Sequence, residues 1–226
     1  MDRLPWGAWE GEDVVRVLVG CEYSGRVRDA FIKRGHDAWS CDLLPTDVPG
    51  PHFQADLLEV IAREGPWDML IAFPPCTYLC VSGMHRTTRG LRDPKLTEDA
   101  LYFVGTLLNC GIPKIAIENP VGVISTRIRK PDQIIQPHEF GEDASKKTCL
   151  WLNGLQKLTT TLRIPGRKVT LPSGKVVERW GNQTDSGQNK LPPSENRWKD
   201  RSVTYGGGGG GNGKSVGLKV GPPNGR

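Results

Sequence analysis

The sequence predicts an α/β protein built on a doubly wound, mostly parallel sheet. Two observations carry that prediction. Short β-rich apolar runs alternate with segments of helical periodicity, at a spacing that suits strand–helix–strand units rather than hairpins. One of these runs, Met69–Phe73, is continuously apolar and stops at Pro74-Pro75, as expected of a strand buried on both faces. At 226 residues, the chain is long enough for one well-packed domain of roughly 150–200 residues with tails.

Residues 1–13 carry Pro, Gly and Trp without periodicity and are read as a flexible arm. The core is expected over residues 14–153. Val14–Gly20 opens it as a strand, followed by the tight turn Cys21-Glu22-Tyr23-Ser24-Gly25. Val27, Ala30 and Phe31 then form a helical stripe that ends at Gly35. His36–Leu43 reads as a second strand ending at Asp42, and a short extended piece from Phe53 leads to Asp56. A short helix is expected over Leu57–Arg63, before the Pro-Pro-Cys strand. Leu101, Val104, Leu107 and Leu108 mark a longer helix within Leu96–Cys110. Lys114–Ile117 is a strand running into Glu118-Asn119-Pro120, and Cys149–Leu152 adds a later one.

From residue 154 the chain becomes polar, basic and Gly/Pro-punctuated, a small irregular or β insert reaching to 205. Within it, Val169–Val177 has the pattern of a hairpin around Pro172-Ser173-Gly174. Residues 206–226 open with six glycines and have the composition of a flexible tail.

The formal net charge of +5 permits a nucleic-acid partner without requiring one. Six scattered cysteines without a C-x-x-C pair favour reduced thiols over a disulfide framework, and no metal site is expected. No apolar run approaches membrane-spanning length, so an intracellular protein without a membrane partner is expected.

The ends of the predicted strands collect the residues able to do chemistry. In open α/β sheets, ligands bind beyond the carboxyl ends of the strands. Small residues at Cys21, Ser24 and Gly25 let a ligand approach the chain, while Glu22 in the same turn disfavours a pyrophosphate and suits a ligand amino group. Asp42 stands where an acidic side chain holds ribose hydroxyls, and Asp56 suits an exocyclic amine. Together these fit a nucleoside with a cationic or zwitterionic tail, such as S-adenosylmethionine. Cys76, fixed in direction by two prolines, is either a nucleophile or a small buried hydrophobe. Glu118 follows another strand and can share its pocket, supplying a carboxylic acid to an electron-poor ring; Asn119-Pro120 alone reads as a turn.

In this order, Pro-Pro-Cys after one strand and Glu-Asn-Pro after another resemble the DNA (cytosine-5)-methyltransferases. The segments CEYSGRVRDAF, AFPPCTYLC, IENPVGVISTRIRKPDQIIQP and TCLWLNGL are similar to small phage and prophage members of that group, over roughly residues 15–205. The resemblance implies a Rossmann-like, S-adenosylmethionine-dependent methyltransferase fold. It also implies that Cys76 adds to cytosine carbon 6, that Glu118 contacts ring N3 and the exocyclic amine, and that Asn119 braces the loop. Cys21, Glu22, Tyr23, Ser24, Gly25, Asp42, Asp56 and Pro74 would bind the cofactor. The partner would be double-stranded DNA with the target cytosine swung out of the helix, in the cytoplasm of a bacterial host, with the protein acting as a monomer.

The family's base-contacting arginine has two candidate counterparts, Lys146-Lys147 and the pair Arg127 and Arg129. Gln183, Gln188 and Asn189 are amides suited to base edges, and Trp180 and Trp198 are candidates to stack on bases. The family's closing helix is replaced here by glycines. Two other readings follow from the same residues. One is transfer to an exocyclic amine, for which Phe73 is a poor first residue; the other is a non-catalytic DNA-binding protein.

Overall fold

A computed structural model describes residues 14–192, and the arm, the glycine-rich segment and Trp198 lie outside the described residues. The chain runs β1 (Arg16–Gly20), α1 (Arg26–Ile32), β2 (Asp37–Asp42), β3 (His52–Gln54), α2 (Leu57–Arg63) and β4 (Met69–Ala72). A 3-10 turn, Cys76–Tyr78, leads into α3 (Val81–Thr88) and α4 (Lys95–Leu108). Then come β5 (Lys114–Pro120), α5 (Ile124–Arg127), β6 (Gln133–Ile135), β7 (Thr148–Asn153), and the pair β8 (Arg167–Thr170) and β9 (Val176–Arg179).

Seven strands form one mixed but mostly parallel sheet in the order β3-β2-β1-β4-β5-β7-β6. The strands from β3 to β5 are parallel to their neighbours, while β7 runs antiparallel to β5. The architecture is compatible with a Rossmann-like doubly wound fold, with the order reversing between β1 and β4. Burial explains the sequence pattern at its centre. All four residues of β4 are buried, as are Val17, Leu18 and Val19 of β1 and Ile115, Ala116 and Ile117 of β5. Such strands carry no polar alternation, because neither face meets water, and each fully buried aliphatic side chain contributes about 1.5–3 kcal/mol.

By its contacts the described chain divides into two compact units. One comprises residues 14–134 and 148–158, the other 135–147 and 159–192. The second unit therefore recruits a segment, 135–147, that precedes the insert expected from composition.

Arg28, on α1, is completely buried. Its guanidinium donates to Asp29 Oδ1 (2.8 Å), Ser40 Oγ (3.2 Å), Thr46 Oγ1 (3.4 Å) and the carbonyls of Val48, Pro49 and Pro51 (3.3–3.4 Å). A buried cation is tolerated only when its donors are satisfied, and here the β2–β3 connection wraps around it to supply the acceptors. Among the described residues, no helix is long and apolar enough to cross a membrane.

Candidate functional site

The carboxyl ends of β1 to β4 surround a cavity of about 330 Å³. Cys21 follows β1, Asp42 ends β2, Asp56 follows β3 and Pro74-Pro75 follow β4, and all of them line it. The cavity sits at the reversal of strand order, where a doubly wound sheet opens a crevice for a ligand. Its remaining wall includes Tyr78, from the 3-10 turn, and Leu96, Asp99 and Phe103, from α4. Sequence reading missed these four. They come from helical segments whose facing direction only tertiary packing reveals; the stripe of α4 was legible, but not which of its flanking residues meets the cavity.

The walls differ in character. Asp42 Oδ1 accepts the backbone N–H of Leu44 (3.0 Å), turning the chain sharply out of β2. Asp56 is the N-cap of α2, its Oδ1 accepting from Leu58 N (2.8 Å) and Glu59 N (3.3 Å). Cys21 has φ 55, a left-handed backbone that a residue with a Cβ seldom adopts. Strain of this kind gathers at ligand sites. Burial, reinforced by Asp42, pushes the Cys21 thiol far above its ordinary range and raises Cys41 to about 12. Both cavity thiols are therefore protonated at neutral pH and unsuited to nucleophilic attack.

Glu22 is almost fully buried, but it is not in the cavity wall. Its Oε1 accepts from Ser24 Oγ (2.5 Å) and from Arg26 N (2.8 Å), so the chain's own carboxylate caps the N-terminus of α1. That occupies the position a phosphate would take in a dinucleotide site, which agrees with the sequence-based exclusion of a pyrophosphate. Its other oxygen, Oε2, is buried without a hydrogen-bond partner. Burial raises the Glu22 pKa, and its hydrogen bonds to Ser24 and the helix N-terminus work against that rise. Tyr23, Ser24 and Gly25 also lie outside the wall. The Tyr23 carbonyl accepts from Asp47 N (2.8 Å), and Gly25 is the N-cap residue of α1.

Cys76 opens the 3-10 turn beyond β4 and is half-buried. Glu118-Asn119-Pro120, expected at the end of a strand predicted over Lys114–Ile117, is the last part of β5, paired with Leu150, Cys149 and Thr148 of β7. Asn119 is buried, and its Nδ2 donates to Pro74 O at 2.7 Å. This bond ties the Glu-Asn-Pro segment directly to the Pro-Pro-Cys segment, on adjacent parallel strands. A second tie lies just beyond. Val123 N donates to Leu79 O (2.8 Å) and Val81 N to Val121 O (3.2 Å), with a bridge between Cys80 and Gly122. At Gly122 a Cβ would lie 1.9 Å from Leu79 O, so the approach of the two loops requires glycine.

The candidate nucleic-acid contacts divide. Arg127 pairs with Glu98 (2.9 Å). Arg129 pairs with Asp132 (2.6 Å) and donates to Leu152 O and Asn153 Oδ1. Both guanidiniums thus have partners within the chain, Arg127 with a residue distant in sequence and Arg129 with one three positions on. Lys147 and Gln188 are exposed. Lys146 N donates to Gln136 Oε1 (2.9 Å), Gln183 bonds to Trp180 N and Gly187 O, and Asn189 Oδ1 accepts from Leu191 N. Trp180 stacks on His138 at 3.8 Å and 6°, and its Nε1 donates to Ile164 O. One face of that ring is therefore already covered, by a histidine that sequence reading left without a role.

Among the described residues, no group of three or more His, Cys, Asp or Glu is arranged to hold a metal ion. No protein-family model matches the chain, and no curated protein matches it.

Proposed function

We propose that this protein transfers a methyl group from S-adenosylmethionine to carbon 5 of cytosine in DNA, on a methyltransferase fold, through a covalent adduct at Cys76. The observation that carries the reading is the Asn119–Pro74 hydrogen bond, which ties the nucleophile segment to the carboxylic-acid segment at the edge of a nucleoside-sized cavity. When bound, S-adenosylmethionine supplies an electrophilic methyl group.

The residues present fit that group. Asp42, the last residue of β2, and Asp56, two residues past the adjacent β3, are both in the wall and suit ribose hydroxyls and an exocyclic amine. Three carboxylates line the cavity with no Lys, Arg or His among its lining residues, which favours a cationic ligand.

The Cys76 sulfur bonds to carbon 6 of the flipped base, and Glu118 neutralises the charge that develops at N3. The bound cofactor would supply the methyl group to carbon 5 and leave as the thioether S-adenosylhomocysteine; loss of the carbon-5 proton to a base then breaks the bond between the Cys76 sulfur and carbon 6, restoring the ring and the thiolate.

The test is mass spectrometry of nucleosides from DNA of methylase-deficient cells expressing the wild type or Cys76→Ser. New 5-methylcytosine in the wild type, absent with Cys76→Ser, is the expected result. N4-methylcytosine or N6-methyladenine would transfer the chemistry to an exocyclic amine. An unmodified genome under both proteins would favour the non-catalytic reading.

A further inference from the structure

We infer that Arg92 is a positioning residue that holds the Cys76 turn rigid and couples it to the wall of the cavity. The inference rests on the reading of Cys76 as the nucleophile and of the cavity as its cofactor site. It starts from the shortness of the turn. Cys76 begins it and Tyr78 ends it, so the half-buried thiol and a cavity-wall ring belong to three consecutive residues. Whatever moves Tyr78 moves the backbone that presents Cys76.

Arg92 grips that turn twice. Its Nη1 donates to the carbonyl of Thr77, the central residue, at 2.8 Å. Its guanidinium carbon lies 4.8 Å from the centre of the Tyr78 ring, a cation–π contact. From the α3 side the same carbonyl is crowded, since a Cβ on Gly83 would fall 2.1 Å from Thr77 O. The middle of the turn is thus packed against the backbone of α3 and held by Arg92. Arg92 itself comes from the connection between α3 and α4, three residues before the helix that supplies Leu96, Asp99 and Phe103 to the cavity. A planar, forked cation can bond a carbonyl and cover a ring at once, and an ammonium cannot reproduce both. A ligand packed on Tyr78 therefore bears on a turn that Arg92 has made into one rigid piece.

The test measures alkylation of Cys76 by iodoacetamide in the full chain, resolved by peptide mass spectrometry, with and without S-adenosylhomocysteine. Cys110, half-buried at the end of α4, serves as the internal reference. Arg92→Met is expected to raise the Cys76 rate relative to Cys110 by roughly two- to fivefold, the size to which an exposed cation–π contact converts. It is also expected to shrink the effect of the nucleoside on that rate. Arg92→Lys should fall between, and it stands in for the methionine variant if that one loses its native circular dichroism. A Cys76 rate unchanged in a folded variant overturns the inference. So does a parallel rise at Cys110, which would mean general loosening. If the wild type binds no nucleoside by calorimetry, the cofactor reading fails, yet the ligand-free comparison of the two thiols still decides the role of Arg92.

Discussion

Asn119 shows how much a single side chain does at this site. Its amide spans two loops that share no sequence neighbourhood, and its donor satisfies a carbonyl, Pro74 O. Replacing it by Ala leaves that acceptor unpaired in a buried place, a loss of about 1–3 kcal/mol. Asn119→Ala should therefore shift the urea midpoint to lower concentration with little change in slope. Asn119→Asp should do the same, because an ionised carboxylate has no donor for Pro74. At this scale the sequence was informative where function follows position along a strand. Cys21, Asp42, Asp56 and Pro74 all reached one cavity because strand ends share an edge. It was uninformative where a role depends on a distant partner. Nothing local distinguishes Arg127, paired with Glu98 from another helix, from an arginine that meets a phosphate.

Among the elements, α2 starts at the site. Asp56 both caps the helix and lines the cavity, and substitutions can separate the two duties. Asp56→Asn keeps an oxygen for Leu58 N and Glu59 N, whereas Asp56→Ala removes the cap at about 1 kcal/mol. Asparagine is expected to preserve the melting temperature and weaken nucleoside binding, while alanine lowers both; calorimetry alongside thermal unfolding separates these effects. The helix itself was legible to the residue, Leu57–Arg63, because an acidic cap precedes an apolar run. β5 was not. Asn-Pro reads locally as a turn, but β7 pairs with the segment through Pro120, and a proline that lacks a donor is accepted as the last residue of a strand. α3 escaped notice for a different reason: Gly83 and its polar residues give no apolar stripe, and its place is set by contact with Thr77.

At the scale of the whole chain, the second unit has its own acid sensitivity. Burial holds His138 below the ordinary value of 6.5, and Arg163 acts in the same direction against Glu139 and Glu178. A base with a lowered folded pKa stays neutral in the fold while its unfolded form takes up a proton. Its contribution to stability is thus whole above pH 6.5 and falls as pH drops below that towards the lowered value. Glu178, lowered by Arg163, loses its contribution in a more acid window, as pH falls below 4.5. Amide exchange, corrected for intrinsic rates, should show residues 135–147 and 159–192 losing protection as pH falls below 6.5. His138→Phe, which keeps a ring against Trp180, should flatten that dependence. The boundary of this unit was only half legible. Composition marks the change near residue 154, but the ties of Asp143 and Ser145 to Gly181 and Asn182 reach back across β7 in sequence.

The cage around Arg28 carries a consequence for how this chain can diverge. A Cβ on Gly25 or on Gly50 would fall 2.5 Å from the Arg28 Nη2 atom. Neither position can gain a side chain while the guanidinium is in place, and the guanidinium cannot leave without withdrawing a hydrogen bond from each of the carbonyls of Val48, Pro49 and Pro51. Three residues spread over 26 positions of sequence are thereby bound into one heritable unit. Drift at any one is blocked until the others change, so the path around this loop runs through joint replacement rather than single steps.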